Sequence, residues 1–211
     1  MSSSDYPADF KECIRFHGHL CPGLAMGYAA AVIARRRLEA EVRAEDEEIV
    51  AIVENDSCAV DAIQAVLGCT FGKGNLIFRD WGKQVFTFIN RKNGKAVRVA
   101  QVLRQNPEGE ERSALAEKGR LGTLDEVEAA RLKELRRRKI DDLVYGDPKE
   151  HFDIKEVTVA VPPEAVVVST LPCAQCGESV VAAKMVEKKG RLVCRECHGA
   201  ASEILQSDES E

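Results

Sequence analysis

Apolar positions along this chain change period several times, and the changes mark out its elements. Phe10 to Phe16 is spaced as a short helix. A longer helix is expected from Pro22 to about Val42, because Pro22 suits a first helical position and Leu24 to Ala34 is rich in alanine. Ile49, Val50, Ile52 and Val53 form a short apolar run that predicts a buried strand over Glu48 to Asn55. Asn55, Asp56 and Ser57 are cap candidates for a helix from Cys58 to Leu67, which Gly68 would close.

Three more strands are predicted over Leu76 to Phe78, Val85 to Asn90 and Ala96 to Leu103. The last two are joined by Arg91-Lys92-Asn93-Gly94, a hairpin signal. Asn106-Pro107-Glu108-Gly109 breaks the pattern, and a charged helical region follows. Within it, Thr123-Leu124-Asp125-Glu126 reads as a capping box for a helix to about Leu143. Ile154 to Val161 alternates apolar and polar residues, giving a fifth strand that Pro162-Pro163 would end. Val166 to Val168 reads as a further extended piece, and Ser207 to Glu211 as an acidic tail without fixed structure.

At 211 residues, 45% hydrophobic and 31% charged, the chain suits one ordinary domain plus a small appendage. The expected division is an α+β core over 1–168 and a cysteine-rich module over 169–211. No apolar run approaches the ~20 residues that span a bilayer. The start, Met1-Ser2-Ser3-Ser4-Asp5, lacks the basic and apolar regions of a signal peptide, so a cytoplasmic protein with no membrane partner is expected. A net charge of −5 argues against a chain dedicated to nucleic acid. The basic run Arg136 to Lys139 has acidic neighbours and reads as a solvated helix face.

For the eight cysteines, that address favours metal or redox use over disulfides. Cys173, Cys176, Cys194 and Cys197 form C-x2-C-x17-C-x2-C, the spacing of a structural zinc site. Each C-x2-C turn lets two thiolates grip one tetrahedral ion, and four close its shell. About 35 residues cannot build a core that offsets backbone entropy, so the metal should serve as one. Lys184, Lys188, Lys189, Arg191 and Arg195 make this module basic, which keeps contact with nucleic acid open.

The first third carries His17-Gly18-His19-Leu20-Cys21. In extended backbone the two histidines and Cys21 would share one face. Cys21 would open the helix beginning at Pro22 and Cys58 the next one, and the positive end of a helix favours thiolate. The expected site is therefore His17, His19, Cys21 and Cys58 around a transition metal of unspecified identity, with Cys13 outside the set. The Gly68 to Asn75 loop has three residues between Gly68 and Gly72 and a glycine after Lys73, so it is no P-loop. Lys73 and Asn75 are instead candidates for holding an anion.

Phe16 to Gly27, Cys58 to Gln64, Gly68 to Leu76 and Asp80-Trp81-Gly82-Lys83 together resemble the FmdE/FwdE-like family of formylmethanofuran dehydrogenase, over roughly residues 10 to 165. The resemblance implies a thioredoxin-like core with a mixed five-stranded sheet, often in an intertwined dimer. It also implies metal binding at His17, His19, Cys21 and Cys58, and association with a molybdenum or tungsten oxidoreductase. No C-x-x-C lies in the core, so thioredoxin chemistry does not follow.

Three functions stay open at this point. One is a metal-binding accessory or redox partner of an oxidoreductase. Another is a stand-alone enzyme with Cys21 as nucleophile and a histidine as base. The third is a regulatory module whose finger contacts nucleic acid or protein.

Overall fold

The computed structural model describes residues 6–40, 43–104, 106–164 and 169–199. The chain divides into two compact units, Met1–Ala165 and Val166–Glu211. The first is built on a five-stranded mixed sheet in the order β2-β1-β3-β4-β5, with β1 (Ile49–Val53), β2 (Leu76–Phe78), β3 (Val85–Asn90), β4 (Ala96–Gln101) and β5 (Phe152–Glu156). Only β1 and β2 run parallel, with Ala51 opposite Leu76. A parallel pair needs a crossover, and α3 (Ala59–Leu67) supplies it.

Side-chain alternation sends Ala51, Val53, Phe86, Phe88, Val97 and Val99 to the face that the helices cover. Val50, Ile52, Ile89 and Ala96 form a second, smaller core on the other face, with Ile77 and Val157 against it. The central strand β1 is buried along its whole length, which is why it reads as a continuous apolar run. Phe86 and Phe88 are completely buried, each contributing about 1.5–3 kcal/mol of transfer free energy.

Helices α1 (Ala8–His17), α2 (Pro22–Arg37), α3 and α5 (Glu126–Tyr145) contribute to the larger core, and α4 (Pro107–Arg120) packs on α5. Asp9 ties α1 to α2: its carboxylate accepts from Tyr28 Oη at 2.8 Å and from Arg35 Nη2 at 3.2 Å. Gly27 lets α2 approach α3 closely: an added Cβ there would lie 2.0 Å from the carbonyl oxygen of Ala59.

Several boundaries differ from expectation. Helix α2 stops at Arg37 because Leu38 O is taken by the side-chain amides of Asn90 and Asn93, both at 3.0 Å, and Glu39 turns to φ +53°. The capping box is Asp125 with Glu128, two residues beyond the expected pair. Asn106 and Pro107 start a helix as well as interrupting the strand pattern: Asn106 Oδ1 accepts from Gly109 N, and Pro107 is the first residue of α4. Strand β4 ends at Gln101 and β5 at Glu156, and Arg91 instead holds the chain that follows through the carbonyls of Pro162 and Pro163. Val166 to Val168 and the acidic tail lie outside the described residues.

Among its described residues the second unit has two short hairpins, β6 (Thr170–Pro172) with β7 (Ser179–Val181) and β8 (Val186–Lys188) with β9 (Arg191–Val193), a 3-10 turn over Ala182–Lys184 and a single-turn helix α6 (Arg195–His198). Among the described residues no helix is long and apolar enough to cross a membrane.

Candidate metal centres

The His17 to Cys21 stretch is a helix end, a reversal and a helix start, where an extended run was expected. His17 is the last residue of α1, Gly18 adopts φ +90° as its left-handed cap, and Cys21 is the N-cap of α2. The side chains converge all the same. His17, His19, Cys21 and Cys58 each offer a ligand atom, and these atoms lie within 4.8 Å of one another. The two imidazole rings are 4.3 Å apart, and His17 Nε2 is 3.8 Å from Cys21 Sγ.

Each thiol is placed by its helix. Cys21 Sγ accepts from the backbone N–H of Leu24 at 3.3 Å, so the sulfur sits at the positive end of α2. Cys58 is the N-cap of α3 but makes no side-chain cap bond. The turn before it is tied by Asn55 Oδ1, which accepts from Ser57 N and Ser57 Oγ. Gly23 lets the two meet: a Cβ there would lie 3.2 Å from Cys58 Cβ and 4.0 Å from Cys21 Sγ. Burial first, and then the charge and hydrogen bond of Cys21, raise the Cys58 thiol above its ordinary range. The raised Cys58 thiol, with Cys21 and two imidazoles beside it, completes a donor set that a divalent cation would satisfy.

Asp61 belongs to this site, and sequence reading passed over it. Its Oδ2 is 2.7 Å from His17 Nδ1, while Oδ1 accepts from Gln64 Nε2 at 3.3 Å. That contact leaves Nε2 of His17 directed at Cys21, the orientation a carboxylate gives a ligating histidine. The signal was a carboxylate one helical turn beyond Cys58, on the same face of α3. A cleft of about 380 Å³ opens beside His17 and Cys58, with Val60, Leu76 and the exposed rings of Phe71 and Phe78 among its walls.

Lys73 and Asn75 are engaged elsewhere. Lys73 Nζ donates to the carbonyls of Ala44, Glu45 and Asp46, the last at 2.7 Å. Asn75 is fully buried, donating to Asp46 O and Ile49 O and accepting from Thr70 N at 2.9 Å. Both side chains therefore fasten their loop to the segment entering β1. Cys13 and Cys69 are buried core thiols, each pushed up to about 12, chiefly by burial. Cys13 Sγ donates to Asp9 O at 3.2 Å and Cys69 Sγ to Ile49 O at 3.3 Å.

In the second unit Cys173, Cys176, Cys194 and Cys197 also bring their sulfurs within 4.8 Å of one another. The turn after Cys173 closes through Gly177 N to Cys173 O at 2.9 Å, with Gly177 at φ +80°. Backbone N–H groups, that of Cys176 first and then those of Cys194 and Gln175, lower the Cys173 thiol to about 6. A hydrogen bond with Cys194 contributes most to pushing Cys197 up to about 12. A lowered thiol beside a raised one reflects four sulfurs packed closely enough to share one cation. A closed shell of four sulfurs is consistent with zinc.

A profile described as "FmdE, Molybdenum formylmethanofuran dehydrogenase operon" matches residues 16–153. A protein of Archaeoglobus fulgidus named "Probable S-adenosyl-L-methionine-binding protein" is 34% identical over 193 residues. That alignment takes in 88% of this chain but 51% of the relative, so the chain spans about half the relative's length. A crystal structure of a tungsten formylmethanofuran dehydrogenase FmdE-like protein from Syntrophus aciditrophicus shares the fold, with a TM-score of 0.58 and 23% identity. The match covers 90% of this chain and 89% of that one. With two groups of side chains that could hold a metal ion on an α+β core and a cysteine module, this chain belongs to the FmdE family.

Proposed function

We propose that the protein is a metal-binding accessory protein, in which His17, His19, Cys21 and Cys58 hold a borderline transition ion and the four C-terminal cysteines hold a structural zinc. The observation that carries this is Asp61 behind His17, because a carboxylate–histidine pair directed at a thiol is what a ligand set needs in order to be orientated. Mixed imidazole and thiolate donors favour zinc, iron, nickel or copper over magnesium or calcium. Such an ion supplies Lewis acidity, or a single electron where it is redox-active.

His19 gives the site its character. It is exposed and lies against the ring of His17, with no hydrogen bond to another side chain among the described residues. Cys21 and His17, by contrast, are fixed by hydrogen bonds. His19 is thus the donor that would exchange with a partner's group or a small ligand. That suits a protein working with a molybdenum or tungsten oxidoreductase, or with a second copy of itself.

Cobalt(II) added anaerobically to the Cys173→Ser, Cys176→Ser protein is the test. Thiolate-to-cobalt charge-transfer bands are expected, and Cys21→Ala should weaken them. Bands that persist unchanged when Cys21 and Cys58 are both replaced would overturn the assignment.

A second reading comes from the cleft. The rings of Phe71 and Phe78, with Asp56 also on its wall, would suit a cation bearing an aromatic base, the chemistry of the ligand named for the A. fulgidus relative. Titration with S-adenosylmethionine decides it: saturable binding reduced by Phe71→Ala supports this reading, and no heat of binding removes it.

A further inference from the structure

A second cavity of about 380 Å³ lies on the core unit, bounded by the chain leaving β4, the first turns of α4, the middle of α5 and the short 3-10 turn Pro148–Glu150. Its walls carry four cationic side chains, Arg104, Arg112, Arg138 and Lys139, and three carboxylates. The carboxylates are unevenly spent. Glu150 pairs with Arg104 at 2.9 Å and Glu108 with Arg138 at 2.8 Å. Asp142 is shared by Lys139 at 3.7 Å and His151 at 3.2 Å. Arg112 is left with no carboxylate among the described residues.

His151 is the most informative group. It is only 7% exposed, and its Nδ1 is 3.1 Å from Lys139 Nζ. An ammonium donates only, so Nδ1 accepts and the ring proton sits on Nε2. Nε2 is buried, and although Asp142 Oδ2 is at ion-pair distance, the alignment is not that of a hydrogen bond. A buried donor without an acceptor is costly unless something supplies one. Lys139 is held below its ordinary range, first by burial, with Arg112 adding to the effect. An arginine without a carboxylate partner among the described residues and an unmet donor thus face one cavity.

We infer that this cavity binds a small organic oxyanion, a phosphate monoester or a carboxylate, with Arg112 as its principal partner and Lys139 and His151 completing the set. The guanidinium fork of Arg112 fits the two oxygens of either head group. Val102 and Leu103, which leave part or most of their side chains exposed at the rim, provide a surface for a short hydrocarbon body. Nothing in this site uses His17, His19, Cys21 or Cys58, so it stands or falls apart from the metal reading.

The full-length protein should be titrated with inorganic phosphate, butyl phosphate and butyrate, at ionic strength held constant with chloride, while its four histidine imidazoles are followed by NMR. The His151 signals are expected to shift saturably with at least one probe. Arg112→Gln, at a partly exposed position without an ion pair, should weaken that binding about tenfold or more. Cys21→Ala should leave it unchanged. Preference for butyl phosphate or for butyrate names the head group, and equal response to phosphate alone shows that the hydrocarbon rim is unused. The inference is overturned if chloride produces the same shift, if no probe saturates, or if Arg112→Gln binds as the wild type does.

Discussion

Replacing Asp61 by Asn removes one charge from the back of His17 and leaves a side chain of the same shape. In the structure the lost interaction is a 2.7 Å contact to an imidazole nitrogen from a carboxylate whose side chain is 37% exposed. Removing such a partner from a metal-bound histidine typically lowers affinity about 10–100-fold. Solvent screening of a carboxylate this exposed places the expectation near the lower end, about tenfold, or about 1.4 kcal/mol. The assay is competition with a chromophoric zinc chelator in the Cys173→Ser, Cys176→Ser background, so that only the core site is read. Asp61→Ala, which also removes the acceptor, should cost more than Asp61→Asn. If both variants fold and bind zinc within a factor of about two of the parent, Asp61 does not orient a ligand.

Other consequences follow from the packing. Gly27→Ala drives a methyl into the Ala59 carbonyl, so a loss of about 3 kcal/mol is expected, or a fall of about 6–12 °C in thermal midpoint for a chain of this size. Calorimetry would show it, and an unchanged midpoint would mean that α2 and α3 are not in contact there. Chelation of zinc should unfold residues 170–199 while hydrogen exchange in β1, β3 and β4 stays slow. Simultaneous loss would contradict separate units. Alkylation at pH 8 should spare Cys13 and Cys69, since a thiol raised to about 12 carries almost no thiolate at that pH. Mass spectrometry showing them labelled before unfolding would refute their burial.

The strands were legible because β-sheet periodicity is local. Val85 to Asn90 alternates between two cores, and each partner strand follows the same rule. The boundaries were less so, because distant groups set them. The end of α2 depends on Asn90 and Asn93, which reach Leu38 O from positions more than fifty residues further along the chain. Thr123-x-x-Glu126 and Asp125-x-x-Glu128 overlap as capping boxes, and only the fold selects the second.

The core ligand set was expected on an extended backbone that the chain does not adopt. Convergence came from Gly18 at φ +90° turning His17 back over Cys21. Lys139, read as part of a solvated basic face, is half-buried against His151, since burial of one side of α5 depends on α4 and the 3-10 turn. Lys73 in its Gly-rich loop looked like an anion ligand because sequence shows the charge but not the three carbonyls around it.

Whether the His17, His19, Cys21 and Cys58 set binds a metal in addition to the finger is tested most directly by elemental analysis of anaerobically purified protein. Two equivalents of transition metal per chain are expected in the wild type. Cys21→Ala and Cys58→Ala should each retain a folded core and lower the total toward one, and Cys13→Ala should leave it at two. A wild type carrying only one equivalent, removed entirely by Cys173→Ser with Cys176→Ser and untouched by Cys21→Ala, would contradict a metal site in the core.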